Sequence, residues 1–339
     1  MLRIAVIGAG RIGKIHSGNV ARHPRARLVT VVDPIEAAAK TLAQEHGSQW
    51  ATDATSLIAG KEIDAIVVGS PTNTHIDLIE RAAAAGKAVL CEKPIDIDIA
   101  KVDRCLENLR KKPVPLMLGF NRRFDPSADA LKRAIAAGEV GTVRQVIISS
   151  RDPGPPPLSY LAASGGLFRD MTIHDFDMGR WLLGEEPIEV YATASCLVDP
   201  QVAQHNDYDT AMVIMRTASG SQCHINNCRQ AVYGYDQRLE VFGSAGMIVN
   251  DNLRPTTLRR FDSSITDARE PLLNFFLERY AESYRRELDA FVAAVLDQKA
   301  VPVTGEDGRR ALMLADAALE SARTAKAVRL EGEEVKGEE

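Results

Sequence analysis

No CxxC pair occurs in these 339 residues, and the five cysteines (Cys91, Cys105, Cys196, Cys223 and Cys228) are scattered and odd in number. Neither a disulfide framework nor a zinc-finger site is indicated, and a reducing cytoplasm is the expected compartment. No apolar run approaches the roughly 18 residues needed to span a bilayer, so no membrane segment is expected. The N-terminus enters a short apolar run and then glycines, which is not the pattern of a signal peptide. Positive charge is not in surplus either. A net charge of −5 gives no electrostatic footprint for nucleic acid or anionic lipid. Internal repeats and low-complexity segments are also missing. What is present is a hydrophobic content of 45%, ordinary for a globular chain with a sizeable core. The length favours two domains.

The first third alternates strand-length apolar runs with helical patterns. "LRIAVIG", "ARLVTVVD", "DAIVVGS", "KAVLCEKP" and "VPLMLGF" read as strands. The segments from Ile12 to His23, Ile35 to Gly47, Thr74 to Gly86 and Ile99 to Lys111 read as helices. That alternation predicts a doubly wound parallel sheet, a Rossmann-type domain over residues 1–120. From about Val143 the texture changes to strand-like segments joined by short turns: "RQVIISSR", "IEVYATASCLV", "DTAMVIMRTA", "SQCHINNCRQ" and "QRLEVFGSAGMIV". They predict a second, α+β domain over residues 121–330, with an open, mostly antiparallel sheet and helices on one face. Two helical patterns, Leu273 to Gln298 and Glu306 to Ala327, complete it and could pack back on the first domain. Residues 331–339 form a charged tail.

The first strand-to-helix junction reads Gly8-Ala9-Gly10-Arg11-Ile12-Gly13. In such a turn the first glycine permits the tight bend, the second lets backbone approach a pyrophosphate, and the third lets helix pack on strand. The phosphates then lie at the helix N-terminus, where unpaired N–H groups and the dipole favour negative charge. Glycine-rich turns are common, but this one follows a strand, opens a helix and is trailed about 20 residues later by Asp33. Asp33 would accept from the adenosine ribose hydroxyls and repel a 2′-phosphate. Pro34 and Ile35 supply no compensating arginine, so NAD is expected over NADP.

Two later strand ends carry polar residues at the carboxyl edge of the sheet, where ligands bind in open α/β folds. "CEKP" places Lys93 before Pro94, which keeps the lysine extended, and the bond can be cis. Lysines are mostly exposed, so a surface role beside a turn is the plain reading of Lys93 taken alone. "SPTNTH" offers Ser70, Pro71, Asn73 and His75 for ribose and nicotinamide, although Asn73 or Thr74 could simply cap the next helix.

"GGLFRDMTIHDFD" follows, from Gly165 to Asp177. On a continuous helix Asp170, His174 and Asp177 share one face, with Ile173 and Met178 turned toward a core. An acid/base pair, a metal site and a solvated acidic face all remain open from the spacing. A catalytic zinc wants three protein ligands, and no Cys/His cluster supplies them.

Together "AVIGAGRIGKIH", "VVGSPTNTH", "CEKPI", "GFNRRFDP" and "GGLFRDMTIHDFD" stand in the order and spacing of a known family. Over Leu2 to Leu330 the chain resembles the glucose-fructose oxidoreductase/inositol dehydrogenase-type oxidoreductases. The resemblance implies a catalytic set of Lys93, Asp170 and His174, with no metal. It implies NAD contacts from Gly8, Gly10, Arg11, Ile12, Asp33, Ser70, Pro71, Asn73, His75, Glu92, Lys93 and Asn121. The implied activity is NAD-dependent oxidation of a secondary hydroxyl on a cyclic polyol, foremost myo-inositol to 2-keto-myo-inositol (scyllo-inosose). A histidine suits the base role, because its ordinary pKa lies near neutrality. Lysine can stabilise developing alkoxide. Arg122, Arg123, Asp152 and Tyr235 are further substrate candidates, one arginine being expected as a salt-bridge partner; Tyr233 and Asp236 belong to the same group. Another inositol isomer, an aldose, or a catalytically silent NAD-binding sensor on the same fold are the alternatives. The intact Lys93, Asp170 and His174 set favours an enzyme. Apolar residues on both faces of the second sheet predict self-association, a homodimer and, by the resemblance, a homotetramer.

Overall fold

Strand β1 (Leu2–Ile7) is a continuous apolar run, and its central residues Ile4, Ala5 and Val6 are fully buried. That is the pattern of a parallel strand covered on both faces. The computed structural model describes residues 1–330, so the charged tail expected at 331–339 lies outside the described residues. The chain divides into two units. The first joins Met1–Asp125 to Glu282–Leu312, and the second joins Pro126–Ala281 to the chain from Met313.

In the first unit β1 is followed by α1 (Arg11–Arg22), β2 (Ala26–Val32), α2 (Glu36–Glu45), a short β3 (Gln49–Ala51), α3 (Thr55–Ala59) and β4 (Ala65–Val68). Then come α4 (His75–Ala84), β5 (Ala88–Glu92), α5 (Ile99–Lys111) and β6 (Leu116–Gly119). The six strands are all parallel, in the order β3-β2-β1-β4-β5-β6. The order reverses between β1 and β4, which is where such sheets bind ligands. Helix α5 begins where Asp98 caps it, accepting from the Ala100 N–H at 2.9 Å. The late segment Glu282–Leu312 completes this unit, and the Leu118 N–H donates to the Val303 carbonyl at 3.0 Å.

The second unit contains α6 (Pro126–Ala136), β7 (Val143–Arg151), α7 (Leu158–Ser164), α8 (Leu167–Asp170) and α9 (Thr172–Leu183). Strands β8 (Pro187–Ser195), β9 (Thr210–Thr217), β10 (Gln222–Cys228), β11 (Asp236–Gly243) and β12 (Met247–Asn250) follow. A small hairpin pairs β13 (Arg259–Arg260) with β14 (Ala268–Arg269). Helix α10 (Phe276–Arg279) follows; α11 (Ala281–Leu296), from Glu282 on, and the start of α12 (Gly305–Thr324) belong to the first unit, and the rest of α12 with the last strand, β15 (Val328–Arg329), to the second. The large sheet is ordered β12-β11-β7-β10-β9-β8-β15 and is antiparallel except for the β7–β10 pair. Helix α9 lies close on this sheet. A β-carbon on Gly179 would come 2.8 Å from Met215 Cε and 3.1 Å from Cys223 Sγ.

Three expectations change. "QRLEVFGSAGMIV" is a hairpin, β11 and β12, because Ser244 and Ala245 turn the chain back on itself. The helical pattern begun at Leu273 starts later, at Phe276, and breaks at Tyr280 before α11. Helix α12 stops at Thr324, and Val328–Arg329 instead extends the edge of the sheet beside β8. Among the described residues no helix is long and apolar enough to cross a membrane.

Candidate active site

The glycine-rich turn is built by close backbone contacts. Gly8 has φ +104°, and a β-carbon there would fall 2.6 Å from the Gly69 carbonyl oxygen. A β-carbon on Gly13 would fall 1.8 Å from the Gly8 oxygen, so only glycine lets α1 pack on this turn. Gly10 differs, since a β-carbon there meets nothing within 4 Å. Its open flank faces the N-terminus of α1, which has no side-chain cap. A pyrophosphate fits there by both space and polarity. Asp33 is half-buried at the end of β2 and tied to the same turn. Its Oδ2 accepts from the Ala9 N–H at 2.8 Å and its Oδ1 from the Ile35 N–H at 2.9 Å. Arg11 is exposed and Ile12 half-buried on the first turn of α1.

At the next strand ends the loops hold one another. His75 is buried, with its ring nitrogens 2.8 Å from the Pro94 carbonyl oxygen and 2.9 Å from that of Ser70. Its imidazole is thus committed to joining the Ser70 and Pro94 loops rather than turned outward as a cofactor contact. Thr74 does not cap α4 through its side chain; its hydroxyl bonds Ser70 Oγ and the Pro71 carbonyl, at 2.6 and 2.7 Å. Pro71 and Asn73 are exposed. The Lys93–Pro94 bond is cis and Lys93 is half-buried. The Glu92 side chain points to His16, with Oε1 2.7 Å from Nε2. Asn121 and Arg122 are buried, and Arg123 pairs with Asp307 at 2.9 Å.

In the second unit the expected continuous helix is interrupted. Asp170 ends α8, Met171 intervenes, and His174 belongs to α9, so the four-residue spacing does not run along one helix. The N-terminus of α8 is closed by Asp207, whose Oδ1 accepts from the Leu167 N–H at 2.7 Å. From Met171 to Arg180, His174 is the residue left unburied. Asp175 and Asp177 are buried, which removes the solvated-face reading of this stretch. Asp175 accepts from Asn227 Nδ2 at 2.8 Å, and Asn227 Oδ1 accepts from the Thr172 hydroxyl at 2.6 Å. This buried network pins α9 to β10, while its histidine is only half-buried. Asp170 is gripped on both oxygens. The Tyr160 hydroxyl donates to Oδ1 at 2.8 Å, and both Nη atoms of Arg229 stand 3.3 Å from Oδ2.

Residues 2–120 match the NAD-binding Rossmann fold of the GFO/IDH/MocA oxidoreductase family, and residues 132–330 match its C-terminal alpha/beta domain. The chain belongs to that family. It is 48% identical over 320 residues to the inositol 2-dehydrogenase of Rhizobium meliloti (strain 1021), covering 94% of this chain and 96% of that one. It is 46% identical over 331 residues to a myo-inositol 2-dehydrogenase of Thermotoga maritima, covering 97% and 99%. A crystal structure of a myo-inositol dehydrogenase from Corynebacterium glutamicum ATCC 13032 has a TM-score of 0.95 to it. The identity is 46%, over 98% of this chain and 99% of that one. The family resemblance read from the motifs is borne out, as is the NAD-dependent oxidoreductase class.

Other members of the expected GFO/IDH/MocA site fall elsewhere than the sequence implied. Tyr235 is buried, with its ring edge-on to Tyr280 at 6.0 Å and Phe275 at 6.5 Å. Gly234, at φ +117°, turns the chain so that Tyr233 is exposed and Tyr235 is not. Asp236 is fully buried. Burial alone would raise its carboxyl, but hydrogen bonds from Arg238, Tyr233 and Asn252 hold it below the usual range. Asp152 is half-buried, its N–H bonded to the Cys228 carbonyl at 2.9 Å. Arg229 and Tyr160 were not legible as partners of Asp170. Arg229 follows a strand of alternating burial, and nothing local marks a bond to a residue so far upstream.

Proposed function

We propose that this protein oxidises a ring hydroxyl of a cyclic polyol with NAD, converting myo-inositol to 2-keto-myo-inositol. Two relatives at 46–48% identity and near-full coverage, named for inositol 2-dehydrogenation, support the substrate. The observation that carries the chemistry is His174, left unburied on an otherwise buried stretch, beside an Asp170 gripped by Arg229 and Tyr160.

In this reading His174 takes the hydroxyl proton as the carbon–hydrogen bond breaks and the carbonyl forms. NAD, when bound, supplies the hydride acceptor. The Lys93 ammonium stabilises negative charge developing on the substrate oxygen. Asp170, anchored by a cation, orients the hydroxyl network and serves as a fixed anion rather than the base. Gly8, Gly10, Arg11, Ile12 and Asp33 hold the pyrophosphate and adenosine ribose. Ser70, Pro71, Asn73, Lys93, Asn121 and the Glu92 backbone line the nicotinamide side, with His75 bracing their loops. Arg122 and Asp152 remain the polyol candidates, while Arg123 is assigned to its Asp307 pair.

Residues 1–120 then serve as the cofactor domain and 121–330 as the substrate and oligomerisation domain, ahead of a charged tail at 331–339. Met212, Ile214 and Tyr191 are 56%, 50% and 42% exposed on one face of the second sheet, a surface suited to a second copy and to a cytoplasmic homotetramer. Formation of NADH with a panel of inositols and aldoses tests the reading. Turnover of myo-inositol well above its isomers supports it, and turnover of aldoses alone would overturn the substrate.

A further inference from the structure

Inside the first unit three side chains from distant parts of the sequence converge: His16 of α1, Glu92 at the end of β5 and Glu287 of α11. One nitrogen or oxygen from each lies within 4.8 Å of the others. His16 and Glu287 are fully buried, and Glu92 is the residue before Lys93. The Tyr284 ring packs edge-on against His16 at 5.7 Å. Among the described residues, both carboxyl oxygens of Glu287 and His16 Nδ1 are buried without a hydrogen-bond partner.

Protons can be assigned by elimination. His16 Nε2 stands 2.7 Å from Glu92 Oε1, so Nε2 carries a hydrogen and donates to a carboxylate. A second hydrogen on Nδ1 would be buried with no acceptor, so the ring is neutral. Were Glu287 also ionised, two carboxylates would share a buried pocket with no cation among the three side chains to balance them. Burial first, and then the charge of Glu92, push the Glu287 carboxyl well above the usual carboxylate range. A metal ion fits less well. Zinc bonds of about 2.0–2.1 Å spread tetrahedral ligands to roughly 3.3 Å, wider than the 2.7 Å contact that His16 and Glu92 already make.

We propose that Glu287 is a neutral carboxylic acid whose proton is shared with Glu92, directly or through one water, and that it acts as a positioning residue for the Glu92–Lys93 turn. Glu92 then accepts from His16 on one side and from Glu287 on the other, so α1 and α11 together hold the strand end that carries Lys93. The consequence for catalysis rests on the reading of Lys93 given above; the shared proton does not.

Infrared difference spectra of the NAD-loaded enzyme, wild type against E287Q, test the proton at neutral to mildly alkaline pH. The wild type should show the carbonyl stretch of an un-ionised acid, shifted in heavy water and missing from E287Q. Kinetics test the positioning. E287A should lower kcat by about tenfold with little change in polyol KM, and E287Q, a neutral donor of the same shape, should recover most of it. Absence of the band, retention of about one metal ion per chain through dialysis, or an E287Q as impaired as E287A would each overturn the proposal. A clear band together with a fully active K93M would uphold the proton and overturn the role of Lys93 instead.

Discussion

Arg229 reaches Asp170 across 59 residues of sequence, placing both Nη atoms 3.3 Å from one carboxylate oxygen while Tyr160 holds the other at 2.8 Å. The Arg229 side chain is 2% exposed and that of Asp170 13%, so the pair compensates two charges that have left water. A carboxylate held in this way is well placed to fix the geometry around a neighbouring base.

Removing the cation should therefore cost both stability and turnover. R229M leaves Asp170 partly buried beside an apolar chain, and a broken buried pair typically costs about 3–5 kcal/mol. The expected result is a lower Tm and at least a tenfold fall in kcat. R229M/D170N should regain Tm without regaining kcat, as thermal melts and steady-state rates on the same samples would read out. Unchanged Tm and kcat in R229M would remove Arg229 from the account.

Replacing His174, the proposed base, should affect the chemical step alone. H174A is expected to lower turnover by about 10²–10⁴, the usual contribution of a positioned general base. NADH affinity, followed by fluorescence titration, should hardly move, and a chelator should leave wild-type turnover unchanged. Near-normal turnover in H174A with an unaltered pH profile would shift the base to Lys93 or Asp170.

Cofactor choice should follow the end of β2. In D33S/I35R the carboxylate that repels a 2′-phosphate is gone and a cation that can pair with it is added. The ratio of kcat/KM for NAD to that for NADP should fall by about tenfold or more. Because Asp33 also accepts from the Ala9 N–H, some loss with NAD is expected from loosening the glycine turn itself. A variant that kept the original ratio would place Asp33 away from the ribose.

Glu287 gives stability a pH signature of unusual sign for a carboxyl group. Its folded-state value is raised, so its contribution is complete below the unfolded value of about 4.3 and is lost as pH climbs toward the folded value. Across that window wild type should lose about 1.4 kcal/mol per pH unit relative to E287Q. Denaturant unfolding of both proteins from mildly acid to mildly alkaline pH would show the gap widening. Parallel curves would mean that Glu287 is ionised in the folded protein.

The parallel sheet was legible because strands buried on both faces are written as unbroken apolar runs, and "DAIVVGS" can hardly be anything else. The helix from Ile99 to Lys111 was legible as a helical pattern, and the structure adds Asp98 as its cap. The Asp170–His174 spacing was read on one continuous helix, whereas α8 ends at Asp170 and α9 begins at Thr172 with Met171 between them. Arg229, Tyr160 and Glu287 lay beyond reach for a common reason. Their partners are fixed by tertiary packing, and single residues carry no local sign of a long-range ion pair or shared proton.

The first unit borrows Glu282–Leu312 from the far end of the chain, and this has a consequence for how the protein is made. A ribosome that has finished Asp125 has issued the six parallel strands but not the segment that supplies Glu287, Val303 and Asp307 to them. At about 5–20 residues per second, the nascent sheet waits roughly ten to thirty seconds before the helix that completes it emerges. Throughout that interval His16, Glu92 and Arg123 lack the partners that later cover them. A fragment ending near Phe120 reproduces that waiting state permanently, and it should be a client for chaperones rather than a working nucleotide-binding module.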